Sequence, residues 1–165
     1  TVARAFWEAH STGRYAPDLA GALSMVLVRN TGLDGWAAAY QALAPDGRLM
    51  PVEDFLAEHP EIQTVDAPAR LRQLAGPMAG DLLLVSNYAG GYYFGGPTTG
   101  VHGGLHPEDS LAVASLGWMG ASSEQRRRLR EVVEETVSDR CAAEGRSRAS
   151  LADLAPALER LLFAA

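Results

Sequence analysis

The sequence predicts an α/β fold with a mainly parallel sheet and a small hairpin insertion. Three observations carry that expectation. Two near-continuous apolar runs, residues 22–28 and 82–85, have the length of strands and the composition of strands buried on both faces. Segments of helical spacing alternate with them, as in a layered α/β domain. A glycine-rich stretch, residues 87–109, leaves the second run, and in a parallel sheet ligand groups collect beyond the C-terminal ends of the strands. A chain of 165 residues, 47% of them hydrophobic, fits one domain with a filled core.

In chain order, Val2, Ala3, Phe6, Trp7 and His10 follow helical spacing, so the chain opens in a helix. Residues 13–18 read as a turn and 22–28 as a buried strand. Residues 29–35, with Asn30, Gly32 and Gly35, read as a loop. Residues 36–43 form a second strand, turned at Pro45-Asp46-Gly47 into a short return strand, 48–50. Pro51 opens a helix to about Glu58, ended by Pro60. Asp66 is a suitable N-cap for a helix to Leu74, which stops at Gly76-Pro77.

Residues 81–86 are the next buried strand, and residues 110–116 return to strand character after the long loop. Ser122 with Gln125 is a capping-box pattern. It opens a helix whose apolar stripe is Leu129, Val132, Val133, Thr136, Val137 and Cys141. Arg126, Arg127, Arg128 and Arg130 lie within a turn of Glu124, Glu131, Glu134 and Glu135, so this face reads as solvated and salt-bridged. A last helix takes Asp153 as N-cap and carries Pro156 in its first turn.

The net charge of −6 does not suggest a nucleic-acid surface. All 14 basic residues are arginine, which reads as composition bias alongside abundant alanine and glycine. The single Cys141 excludes an internal disulfide framework. No apolar run approaches the ~18–20 residues of a membrane span. Residue 1 is Thr rather than Met, so upstream sequence is expected to have been removed, and absence of a secretory signal is uninformative.

The segment Val101-His-Gly-Gly-Leu-His-Pro-Glu-Asp-Ser110 gathers two imidazoles, two carboxylates and a hydroxyl. Imidazole suits zinc, and glycines beside it let the backbone approach a metal-phosphate centre closely. His102 and His106 have the four-residue spacing of a helical zinc pair, but Gly103, Gly104 and Pro107 argue against a helix there. His102 therefore reads either as a ligand or as a loop histidine bonded to backbone. His10 and His59 read as surface groups. The stretch from Gly90 to Gly96 resembles a phosphate loop only superficially, because its aromatics suit packing or a lid. Serine-triad elbow, P-loop and dinucleotide fingerprint are all missing.

The strand at 81–86, the glycine-rich stretch 90–100, Gly100-Val-His-Gly103 and Leu105-His-Pro-Glu-Asp-Ser110 together resemble a known pattern. It is the late metal-ligand segment of the alkaline phosphatase superfamily, nearest to type I phosphodiesterases/nucleotide pyrophosphatases. Ser150-Leu-Ala-Asp-Leu-Ala-Pro-Ala-Leu158 is similar to the family's closing helix start, with Ala157 where threonine is common.

The resemblance covers roughly the last half of the chain. It implies part of an alkaline-phosphatase-like three-layer sandwich, in which residues 1–165 form a single C-terminal portion. Residues 22–75 would be a variable cleft-shaping region, and residues 80–165 would carry the late ligand segment and closing helices. It also implies a hydrolase of phosphoric or sulfuric esters with two divalent metals, usually zinc, and a metal-bound Ser or Thr nucleophile. Only His102 carries over as a metal ligand, with His106 and Asp109 as supporting or substrate-contacting residues and no catalytic nucleophile.

The expected partners are the N-terminal half of the same protein and a small phosphoric ester, with no nucleic acid and no membrane span. A sheet edge left open by the missing half predicts either an oligomer or a retained partner chain that carries that half. The alternative from another class is a non-catalytic binding or interaction module built on a degenerate half of the fold.

Overall fold

The computed structural model describes residues 1–29, 39–74, 76–94, 104–111 and 115–163. The chain is an α/β protein of two compact units, Thr1–Ser110 and Leu111–Ala165.

The first unit is built on a sheet of four strands: β1 (Leu23–Arg29), β2 (Tyr40–Leu43), β3 (Leu49–Pro51) and β4 (Leu82–Ser86). Their order is β3-β2-β1-β4, and among the described residues every pairing is antiparallel. The expected mainly parallel sheet is thus corrected. A continuous apolar run records burial on both faces, and an antiparallel sheet covered on both faces produces the same run. The expected hairpin forms, and its strands belong to the same sheet. β2 and β3 turn through Pro45-Asp46-Gly47, with Gly47 at φ 86, and make up half of the sheet. The part of the second strand foreseen at 36–38 lies outside the described residues, as does the loop foreseen at 30–35.

Both faces carry helices. α1 (Val2–Thr12) covers one, with Ala3, Phe6 and Trp7 packed on Leu23, Val26 and Leu43. α2 (Val52–Glu58) and α3 (Ala67–Leu74) cover the other, where Phe55 and Leu71 meet Met25, Leu27, Tyr40 and Met50. The register slips between Leu23 and Met25 against Ser86 and Val85, which is a β-bulge. It leaves Leu23 on the α1 side with Val26, while Met25 and Leu27 serve the opposite core. Asp66, expected as an N-cap, adopts φ 47 and accepts the Arg70 N–H at its backbone carbonyl.

The expected strand at 110–116 is also corrected in part. Ser110 closes a short helix, α4 (Pro107–Ser110), and Leu111, Ser115 and Leu116 are not strand. Pro107 at a helix start explains the turn, since its missing N–H and fixed φ suit a first helical position. Residues 112–114 lie outside the described residues.

The second unit pairs α5 (Ser123–Glu144) with α6 (Leu154–Phe163). The capping box forms: Ser122 Oγ accepts the Gln125 N–H, and Gln125 accepts the Ser122 N–H. The predicted stripe from Leu129 to Cys141 is the less exposed face, and Arg127 pairs with Glu124 and Glu131 on the solvated one.

Asp153 differs from its expected role. Ser150 caps the one-turn helix Leu151–Asp153 that precedes α6, and the Asp153 carboxylate lies buried at 1% exposure. It accepts from Arg146 (2.8 and 3.2 Å), Arg140 (2.8 Å) and the Ser150 N–H (2.7 Å). This ionic knot joins the C-terminal end of α5 to the start of α6.

Candidate functional site

The chemistry-bearing segment belongs to the first unit, and its later half, 104–110, is described in full except for the Asp109 side chain. His102, the residue expected to bind metal, lies outside the described residues. Asp109 falls within α4, and its side chain also lies outside them.

His106 stacks on Tyr88 with ring centroids 4.5 Å apart and planes 24° apart. Its Nδ1 accepts the Glu108 N–H at 3.3 Å. Tyr88 reaches this position because Asn87 organises the exit from β4. Asn87 Oδ1 accepts the Gly90 N–H, and Asn87 Nδ2 donates to the Gly21 carbonyl. Gly90 lets the two approach, since a Cβ there would lie 2.5 Å from Asn87 Nδ2.

The segment is tied to the scaffold at several points. Arg70, on α3, donates through Nη2 to the Gly104 carbonyl (2.7 Å) and through Nη1 to Ser110 Oγ (2.8 Å). Ser110 Oγ also donates to the Gly104 carbonyl (2.7 Å). The Val65 N–H donates to the Leu105 carbonyl (2.9 Å), and Leu105 packs against the α2/α3-side core. Sequence reasoning missed Arg70 and Asn87. The available signal was an arginine between Ala69 and Leu71, two positions that the amphipathic pattern of α3 commits to the core.

A groove of about 850 Å³ passes this segment, lined among others by His10, Phe55, His59, Tyr88, Tyr93 and His106. The two histidines expected on the surface are half-buried in its wall. His10 Nδ1 accepts the Leu23 N–H at 3.1 Å, and the ring leans on Trp7. Desolvation lowers the His10 pKa, so the neutral ring is favoured. His59 lies tilted against Phe55, with ring centroids 4.4 Å apart, and contacts Glu61 at 3.1 Å through Nδ1. A backbone hydrogen bond, and then the bond to His59, hold the Glu61 carboxyl below its ordinary value.

Zinc chemistry asks for three protein ligands around an open position in a catalytic centre. Among the described residues, no three His, Cys, Asp or Glu side chains converge to hold a metal ion. His106 already stacks on Tyr88 and accepts a backbone N–H. The described residues therefore do not assemble a metal centre by themselves. No helix among the described residues is long and apolar enough to cross a membrane. No protein-family model, curated protein or solved structure matches the chain.

Proposed function

We propose that this chain is the C-terminal part of a metal-dependent phosphoric-ester hydrolase, of phosphodiesterase/nucleotide pyrophosphatase or phosphatase type. It contributes His102 as one metal ligand and supplies no nucleophile, so it is inactive alone. The observation that carries the reading is the ten-residue segment 101–110, whose later half is pinned to α3 and to the core rather than left as a surface loop. Imidazole nitrogen matches the proposed zinc, and metal sites are better built on well-held chain than on a loose loop.

When bound, divalent zinc would polarise the ester and stabilise its developing charge. The chain's own part would be one imidazole nitrogen, that of His102. His106 and Asp109 follow on the same segment as supporting or substrate-contacting residues. The partners under this reading are the N-terminal half of the same protein and a small phosphoric ester, with self-association of the separated chain.

The test uses the full-length gene product. His102→Ala is expected to remove one metal ligand, lower bound zinc and cut hydrolysis of aryl phosphates or phosphodiesters by orders of magnitude. Wild-type zinc content and activity in that variant would end the proposal. A second reading, a non-catalytic interaction module, is favoured by one observation: the antiparallel sheet has a core on each face, made from residues of its own unit. It predicts no bound zinc and no hydrolysis in the full-length product, with or without His102.

A further inference from the structure

The two outer strands close the sheet differently. β3 has three residues and ends on Pro51, which carries no N–H, so little of its outer edge can pair. β4 runs Leu-Leu-Leu-Val-Ser without a charge, a proline or a glycine. Arg29 donates its N–H to the Asp81 carbonyl, which makes these two a hydrogen-bonded pair of the β1–β4 ladder. By alternation Leu83 and Val85 also bond to β1, and the N–H and C=O of Leu82 and Leu84 turn to the outer edge. Among the described residues no strand takes them up.

The surroundings of that edge are apolar on both faces. Leu82 and Leu84 pack with the α1-side core, Leu83 and Val85 with the α2/α3-side core. The groove follows both faces, past Trp7 and Leu23 on one and past Phe55 and Leu105 on the other. An occupant of this edge must therefore be an extended segment that is apolar on both sides. β4 itself is such a segment.

We propose that the outer edge of β4 pairs with β4 of a second copy of this chain, antiparallel about a two-fold axis at Leu84. Leu84 then faces the partner's Leu84, Leu82 faces the partner's Ser86, and Leu83 faces the partner's Val85. All of β4 is matched in this register, and the outward N–H and C=O of Leu84 are exchanged across the axis. Charge agrees with it. Asp81 comes opposite the partner's Asn87 rather than another carboxylate, and Arg29 already neutralises it at 2.6 Å. The two sheets become one, with α1 of both copies on one face and α2 and α3 of both on the other. This inference needs only β4 and its neighbours and does not rest on the hydrolase reading.

The test is sedimentation and hydrogen exchange on the chain over a range of concentrations. A monomer–dimer equilibrium is expected, with the Leu82 and Leu84 amides exchanging more slowly as concentration rises. The Leu83 and Val85 amides, already bonded to β1, are the reference. Leu84→Lys should stay monomeric where the wild type dimerises, because it sets like charges face to face at the axis. Leu84→Glu should do the same, and mixing the two variants should restore a dimer holding one of each. If neither variant folds, Leu84→Cys in a Cys141→Ser background replaces them. A hydrogen-bonded pair lies about 5.5 Å apart at Cα, within reach of a disulfide, so mild oxidation should cross-link the dimer. A chain that is monomeric throughout overturns the proposal, as does a dimer that persists in Leu84→Lys or fails to cross-link through Leu84→Cys. Concentration-independent protection of the Leu82 and Leu84 amides would assign the edge to another strand of the same chain or to a bound peptide, and overturns it as well.

Discussion

Replacing Asp153 by alanine tests the knot between α5 and α6. The carboxylate is 1% exposed and accepts four hydrogen bonds, three of them from guanidinium groups and one from the Ser150 N–H. Removing one partner of a buried ion pair costs about 3–5 kcal/mol, because the other charge is left without compensation. Here the stranded charge is Arg146, itself 8% exposed. It keeps Glu144 at 2.8 Å and the Arg148 carbonyl at 2.7 Å. Arg140 keeps Glu144 at 2.7 Å and is open enough to take up water.

The retained partners place the cost at the low end, about 3 kcal/mol. That corresponds to roughly a hundredfold loss of protection for amides that exchange by opening of the whole unit. The assay is hydrogen exchange along α5 and α6, with β1 and β4 amides as the internal reference. A loss no larger than that of an exposed pair, under about 1 kcal/mol, would refute the buried-knot argument.

Acid should act on both units, with the same sign. Burial works to raise the Asp153 pKa, but bonds from Arg146, the Ser150 N–H and Arg140 outweigh it and hold the carboxyl below 3.8. Its contribution is therefore complete above the unfolded value and fades as pH falls through the folded one. His10 has a lowered pKa, so the unfolded chain binds the proton first and stability declines as pH drops below about 6.5. Thermal melts from pH 8 to pH 4 should show the His10 part of this decline, and His10→Gln should flatten it; a slope that persists would acquit His10. Phe55→Ala removes a side chain that is 1% exposed from the α2/α3-side core, at an expected cost of about 3–5 kcal/mol. Urea denaturation should show the midpoint fall at an unchanged m-value, and a loss under about 1 kcal/mol would mean that the site refills by collapse.

The elements most legible in the sequence were those set by local chemistry. Pro45-Asp46-Gly47 gave the hairpin turn, Ser122 and Gln125 gave the capping box, and Arg127 gave its salt-bridged face. Strand direction was not legible, because β1 and β4 owe their apolar runs to helices above and below rather than to parallel neighbours. Asp153 carried the right location and the wrong role: a carboxylate before a helix is normally a cap, and only the fold brings Arg140 and Arg146 onto it. The site was legible as a composition, two histidines, two carboxylates and a serine. Its anchoring was not, since Arg70 lies 34 residues before Gly104 and no local rule connects them.

The slip at Ser24 has a meaning for how this strand tolerates change in length. Side chains in a strand alternate, so losing one residue normally turns everything upstream inside out. Between Leu23 and Met25 the chain carries one residue more than its partner strand needs. Without Ser24, Leu23 would still face α1, because plain alternation from Met25 puts it there. A residue lost between Met25 and Val28 would instead turn Leu23 away from α1 toward the opposite core. Ser24 is thus the one place where β1 could lose a residue without changing the face on which Leu23 lies.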